Sequence, residues 1–295
     1  MGTVNGRSHQ VTIAYPGSQT MIWRLNGHPM TEWNASGYAR VAALQAAMAA
    51  EVLGLLEVKP TERVLDLGCG NGKVTAEIAK RVGRGSVVGI DSSAEMIAFA
   101  QSHVDPAAHP NLRFETCDVR QLPFRNEFDL VVSFNALHWI TDQAVALRSI
   151  RSAMKQDARA QLRLVPAGRR KSLENVIEET RLSERWSRYF AGFHDPYLHL
   201  TADQYATLAE RSGLNVLHVT TSDNTWDFGS RPAFAAFGMV TFVEWTKCLP
   251  EAERPAFVSD VLDRYRAIAA EQPGGENVFK FYQMDIALAN GPSAI

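Results

Sequence analysis

The sequence predicts an α/β fold, a parallel sheet covered by helices on both faces, and three observations carry that reading. Short apolar runs alternate with helical patterns from Arg63 to Val165, the arrangement expected of strand–helix–strand units in a parallel sheet. A glycine-rich turn, Gly68-Cys-Gly70-Asn-Gly72, separates the first strand from the helix after it. Two aspartates, Asp91 and Asp118, close the second and third strands.

The elements follow in order. Val41, Leu44, Met48, Val52 and Leu55 recur at helical spacing between Tyr38 and Val58, and Pro60 stops that helix. Arg63–Gly68 is a short apolar strand, followed by the glycine turn and a helix over Gly72–Val82. Ser86–Ile90 is the second strand. Ser92 and Glu95 have the Ser-x-x-Glu spacing of a capping box and open a helix that runs to Val104. Leu112–Thr116 is the third strand. Asp129–Asn135 is the fourth, and its unbroken apolar run suits a position buried on both faces. A helix over Asp142–Met154 and a strand over Ala160–Val165 complete the alternation.

The rest of the chain departs from this pattern. Residues 166–200 are rich in Arg and aromatics and read as helical, and Thr201–Gly213 reads as a capped helix. Leu214–Phe228 and Asn277–Ala289 alternate as strands, with two helical stretches between Pro232 and Ala270 broken near Leu249-Pro250. Seven strands result. Helices inserted before the sixth and the seventh are expected to form a cap.

Bulk properties narrow the class of function. The chain has 295 residues, 30 Lys and Arg against 32 Asp and Glu, and 46% hydrophobic residues. A near-zero net charge gives no broad electrostatic attraction to nucleic acid or to anionic membrane. Cys69, Cys117 and Cys248 lie far apart, with no CxxC pair and no zinc-ligand spacing, so neither a disulfide framework nor a metal is expected. A reducing compartment follows, and the expected location is the cytoplasm. No apolar run approaches the ~20 residues that span a bilayer.

The chemistry concentrates in residues 62–142. A turn that leaves a strand and opens a helix needs glycines for tight torsions and for close approach of a ligand. The helix N-terminus there favours an anionic or carboxylate-bearing group. Asp91 follows Gly72 by 19 positions, where an acid grips ribose hydroxyls. Asp118 is placed to accept from an adenine amino group. One glycine turn alone is a weak signal, but three features in register on successive strand ends are not a common accident. The spacing is GxGxG and not the GxGxxG of dinucleotide binders.

The set VLDLGCGNG, GIDSS, TCDV and FDLVVSFNALHW resembles the class I S-adenosylmethionine-dependent methyltransferase family. The resemblance spans about residues 33–165. It implies a Rossmann-like fold, a seven-stranded, mainly parallel sheet whose last strand is antiparallel, with S-adenosylmethionine as cofactor. It also implies that Gly68, Gly70 and Gly72 form the cofactor loop with Asp66 supporting it. Asp91, with Ser92 beside it, would bind the ribose, and Met96 would pack beside the nucleoside. Asp118 and Val119 would address the adenine, and Asn135 would lie near the methionine end. A narrower resemblance, to the trans-aconitate methyltransferase-like branch, rests on Trp33-Asn34, Tyr38, Leu137-His138-Trp139 and Phe281-Tyr282-Gln283 with Ala287. It implies that Tyr38 closes over the cofactor, with helix packing as the competing account, and that Met30 is the natural start, with 1–29 an extension. Trp33 and Trp139 are candidates to wall the cofactor pocket, core packing being the plainer account. The expected organisation is then a core over 30–165, a cap insertion over 166–213, and the last two strands with inserted helices over 214–295.

For the acceptor the residues leave alternatives open. Methyl transfer is an in-line displacement in which the protein supplies proximity, orientation and a water-poor site. A carboxylate acceptor needs no general base; a hydroxyl or carbon acid does, and His138 is the candidate. The competing reading of His138 is a structural histidine packed beside Trp139. Trp139 and Tyr197 are candidate acceptor contacts, and Trp186, Tyr189, Phe190 and Phe193 share the spacing of a cap helix, which packing alone explains. Arg163, Arg169, Arg170 and Lys171 would suit a substrate carboxylate, although a solvated helix start is the plainer account of Arg169 and Arg170. The expected function is methylation of a small molecule, with O-methylation of a small carboxylic acid or natural product first and C- or N-methylation second. A cofactor-binding protein without turnover and a nicotinamide-dependent oxidoreductase are the readings from other classes. The chain is expected to act as a monomer or homodimer, without nucleic acid or membrane partners.

Overall fold

A computed structural model describes residues 32–269 and 275–291, without the side chains of residues 32–43 and of Ala269. Met30 and the extension over 1–29 lie outside the described residues, as do the side chains of Trp33 and Tyr38. The core elements are α1 (Glu32–Leu55), β1 (Arg63–Leu67), α2 (Lys73–Arg81), β2 (Ser86–Asp91), α3 (Ala94–His103), β3 (Leu112–Thr116), β4 (Phe128–Phe134), α4 (Gln143–Ala153) and β5 (Met154–Leu164). After them come α5 (Leu173–Arg181), α6 (Ala202–Arg211), β6 (Asn215–Asp227), α7 (Arg231–Thr241), α8 (Val243–Thr246), α9 (Arg254–Ala269) and β7 (Val278–Ala289).

The strands form one sheet in the order β3-β2-β1-β4-β5-β7-β6. Strands β1 to β5 pair in parallel, and β7 pairs antiparallel with both β5 and β6. The Rossmann-like, mainly parallel sheet with a reversed last strand is therefore present. β1 and β4 lie at its centre, where the unbroken apolar runs of both strands are covered on each face. Leu65, Leu67 and Val131 face Leu147 and Ile150 of α4 and Tyr205 of α6, while Val64, Leu130 and Val132 face Ile78 and Ala79 of α2. Chain order reverses between β1 and β4, so the loops after them part and leave a crevice at the carboxyl end of the sheet.

A separate apolar cluster makes the cap. Val176 and Ile177 of α5, Phe234 of α7, Trp245 of α8 and Phe257 of α9 pack with Leu44 of α1 and Phe279 of β7. The α7–α9 segment is inserted between the paired strands β6 and β7. The cap thus draws on both insertions and on α1.

Several boundaries differ from the sequence expectation. α1 begins at Glu32, ahead of Tyr38. β5 begins at Met154, because Lys155 to Asp157 are solvent-facing at its start and break the apolar pattern. The segment 166–200 is mostly not helical: α5 covers nine residues and a short 3-10 turn spans Ser187–Tyr189. Gly192, at φ 74°, and Pro196 end regular structure beyond it. Among the described residues the break near Leu249-Pro250 is present, and the helical stretch before it is itself divided at Phe242 into α7 and α8. The cap of α3 is Ser93 and not Ser92: the Ser93 side chain accepts from the Met96 N–H, so Glu95 falls one place short of the capping-box position. Among the described residues no helix is long and apolar enough to cross a membrane, and no cluster of metal-ligating side chains occurs.

Candidate active site

The turn after β1 is built from three left-handed glycines, with φ of 70° at Gly68, 53° at Gly70 and 75° at Gly72. They answer to different constraints. A Cβ on Gly68 would lie 2.2 Å from the Cβ of Ala136, and one on Gly72 would lie 2.6 Å from the Phe114 ring. A Cβ on Gly70 would meet nothing within 4 Å. Packing therefore demands the outer two, while the middle one has open space beside it, which leaves room for a ligand to approach its backbone closely.

Backbone hydrogen bonds tie this turn to the ends of the next strands. The N–H groups of Gly68 and Cys69 donate to the Ile90 carbonyl, at 2.8 and 2.9 Å. The Gly70 N–H donates to Asp91 Oδ2 at 3.0 Å, and the Ser93 N–H to Asp91 Oδ1 at 2.9 Å. Cys117, beside Asp118, donates its N–H to the Asp91 carbonyl. Asp91 and Asp118 thus project from neighbouring strand ends, as the sequence predicts. Asp66, 3% exposed, accepts from Thr75 Oγ1 at 2.7 Å beneath the turn. Burial pushes its carboxyl up to about 6 despite that bond, and Asp91 adds to the effect. Burial also raises the Cys69 thiol, so it is inert packing.

Of the residues expected to meet the nucleoside, Met96 is half exposed near the start of α3. Ser92 is exposed, and Val119 is buried in the core. Asp118 caps the short turn Val119–Gln121 and meets the Arg120 guanidinium through both oxygens, at 2.6 to 3.0 Å. Arg120 holds this carboxylate below the usual range. An adenine amino group would have to share Asp118 with Arg120.

On the acceptor side, Asn135 ends β4 in the left-handed region, at φ 57°. His138 and Trp139 follow in a 3-10 turn. The Val165 N–H donates to His138 Nδ1 at 3.4 Å. In the neutral ring the proton then sits on Nε2, so this edge donates and does not accept. Burial, with His199 nearby, pulls His138 down to about 3. The arrangement suits the packing reading of His138 and not the general-base reading. Tyr197 stacks on it at 5.2 Å and meets Trp139 at 4.1 Å, which brings together the two acceptor candidates.

A stability prediction follows. Since the folded-state value of His138 lies below the ordinary 6.5, protons favour the unfolded chain, and stability is lost as pH falls from about 6.5 toward 3. Between pH 7 and 5, wild type should lose about 2 kcal/mol more than His138→Gln in urea unfolding. Asp66 acts with the opposite sign, losing stability as pH rises through about 6. It is common to both proteins and cancels. Equal losses would mean that His138 is not held neutral.

The basic candidates are engaged elsewhere. Arg163, 1% exposed, is bound by Asp285 at 2.7 and 2.8 Å and by Glu51 at 3.1 Å. Arg170 is paired with Asp223 and lies over Tyr282, and Lys171 pairs with Glu179. Arg169 is exposed, as the plainer account expects. Sequence reasoning missed Thr75 under Asp66 and the fully buried Trp245, which stacks on Tyr197 at 5.5 Å and donates from Nε1 to Glu178. Neither position lies in a strand-end pattern that could have marked it.

A parallel sheet with a glycine turn at its switch point and acids on the next two strand ends defines a Rossmann-like α/β fold. Comparison with known proteins specifies the class. The methyltransferase domain family matches residues 64–157. A trans-aconitate 2-methyltransferase of Deinococcus radiodurans is 29% identical over 272 residues, covering 88% of this chain and 98% of that protein. The YcgJ protein of Bacillus subtilis has the same fold, with a TM-score of 0.60 at 18% identity over 84% of this chain and 100% of that one. A phosphoethanolamine N-methyltransferase of Haemonchus contortus, solved with S-adenosylhomocysteine, gives a TM-score of 0.55 at 18% identity over 83% of this chain and 52% of that one. Residues 64–157 thus carry a methyltransferase domain, and over most of its length the chain is similar to S-adenosylmethionine-dependent methyltransferases of class I.

Proposed function

We propose that the chain methylates an oxygen of a small carboxylic acid, with S-adenosylmethionine as donor. The observation that carries the acceptor class is the setting of His138, the residue best placed to be a base: it is buried and committed at Nδ1 to the Val165 N–H, and burial drives it toward the neutral form. An acceptor that arrives ionised needs no proton removed, and a carboxylate satisfies that condition near neutral pH. The name of the Deinococcus radiodurans relative, a methyltransferase of an acid, supports the same class.

The described residues fit the cofactor. When bound, S-adenosylmethionine supplies a methyl group on a sulfonium. Gly70 admits the cofactor chain, Asp91 accepts from the ribose hydroxyls, and Asp118 with Val119 bounds the adenine. Asn135 borders the methionine end. Trp139 and Tyr197 form an apolar wall that excludes water and orients the acceptor. His138 is a positioning residue behind Tyr197. No nucleic acid or membrane is part of this reading.

Calorimetry with S-adenosylmethionine, S-adenosylhomocysteine and NAD tests the donor, and binding of NAD alone would overturn it. A methyl-transfer screen over a panel of carboxylic acids, amines and phenols tests the acceptor. Methyl esters are expected; turnover confined to amines or carbon acids would reject the carboxylate.

A further inference from the structure

Strand β7 carries a buried amide to which the reading above gives no role. Gln283 is 2% exposed, and its Nε2 donates to Asn135 Oδ1 at 3.2 Å. Asn135 holds a left-handed backbone conformation, which asparagine adopts more readily than other residues with a side chain. Its own N–H donates to the Arg163 carbonyl at 2.8 Å. The Arg163 side chain is in turn clamped by Asp285, two residues along β7 from Gln283. One neighbouring strand thus restrains the Asn135 backbone and the next restrains its side chain. Ala136 would touch a Cβ on Gly68, so Asn135 stands directly beside the glycine turn.

An asparagine amide has one acceptor oxygen and one nitrogen with two donors. With Oδ1 taken by Gln283, the nitrogen is left, and among the described residues it donates to nothing. We infer that Gln283 is a positioning residue for methyl transfer: it fixes the amide of Asn135 so that the NH2 group faces an oxygen of the ligand at the methionine end of the cofactor site. The inference rests on the proposed S-adenosylmethionine reading. Exchanged roles in the pair would turn Oδ1 toward a carboxylate and repel it. Because Gln283 is buried, water does not compete for the bond that sets this choice.

The test is a double-mutant cycle in the full chain, reading the Kd for S-adenosylhomocysteine by calorimetry. Gln283→Met removes the donor at similar volume and should weaken binding about tenfold, the loss of one well-placed hydrogen bond. Asn135→Ala should weaken it at least as much. The double variant should be no weaker than Asn135→Ala within about twofold, since the two residues act as one unit. Gln283→Leu, which has neither donor nor acceptor, should match the methionine variant and stands in for it if that protein fails to fold. Penalties that multiply in the double variant, or wild-type affinity in Gln283→Met, overturn the inference. A wild-type chain that does not bind S-adenosylhomocysteine removes the donor reading itself. That outcome is distinct from intact wild-type binding with multiplying penalties, which removes only the role of Gln283.

Discussion

Asp91→Ala is expected to weaken binding of S-adenosylhomocysteine by roughly thirtyfold or more, about 2 kcal/mol, measured by calorimetry. The loss has two sources. A carboxylate accepting from ribose hydroxyls makes charge-assisted bonds, which are stronger than neutral ones. The same carboxylate also organises the turn, since Gly70 and Ser93 each donate an N–H to one of its oxygens. Asp91→Asn separates these sources. Its remaining oxygen can keep one of the two backbone bonds, so its melting temperature should stay closer to wild type than that of the alanine variant, while much of the affinity is lost. An alanine variant with wild-type affinity would remove Asp91 from the site.

How far the sequence reaches is visible in particular residues. Gly68 to Gly72, Asp91 and Asp118 were legible because the fold reads them locally: each sits where an apolar strand ends, and the strand is recognisable from its own run of residues. The structure puts them at adjoining strand ends, joined by the Gly70–Asp91 and Cys117–Asp91 hydrogen bonds. The state of His138 was not legible, because it depends on Val165 and His199, 27 and 61 positions away. Sequence spacing carries no information about which ring nitrogen faces a backbone N–H. Asp118 illustrates the converse. Its place was foreseen, but its neighbour Arg120 takes both oxygens, a local pairing that no strand pattern announces.

The cap was the least legible part, and its residues show why. Trp186, Tyr189, Phe190, Phe193 and Tyr197 have helical spacing in sequence, yet they occupy turns and extended chain. They meet across the fold: Trp186 packs edge-on against Phe257 of α9, and Tyr197 stacks on Trp245 of α8. Periodicity reports a face only where the backbone is regular. In an aromatic cluster assembled from two insertions, pairing between distant segments decides the conformation.

Within the glycine turn, substitution should separate folding from binding. Gly68→Ala places a methyl group 2.2 Å from the Ala136 Cβ, in a backbone with φ 70°. Overpacking and left-handed strain together should destabilise the chain by about 2–4 kcal/mol, lowering the melting temperature by roughly 5–10 °C. Gly70→Ala meets no neighbour within 4 Å and carries only the strain of φ 53°, so it should lose about 1 kcal/mol. Its methyl group, however, enters the crevice where the cofactor chain must approach the backbone. Affinity for S-adenosylhomocysteine should then fall at least about tenfold, against a melting temperature close to wild type. The opposite pattern, with Gly70→Ala unstable and still binding, would mean that the open side of the turn does not face the ligand. The cofactor would then have to lie elsewhere along the carboxyl edge of the sheet. The contrast is informative because both variants add the same methyl group two residues apart, so any difference between them comes from what stands opposite each glycine.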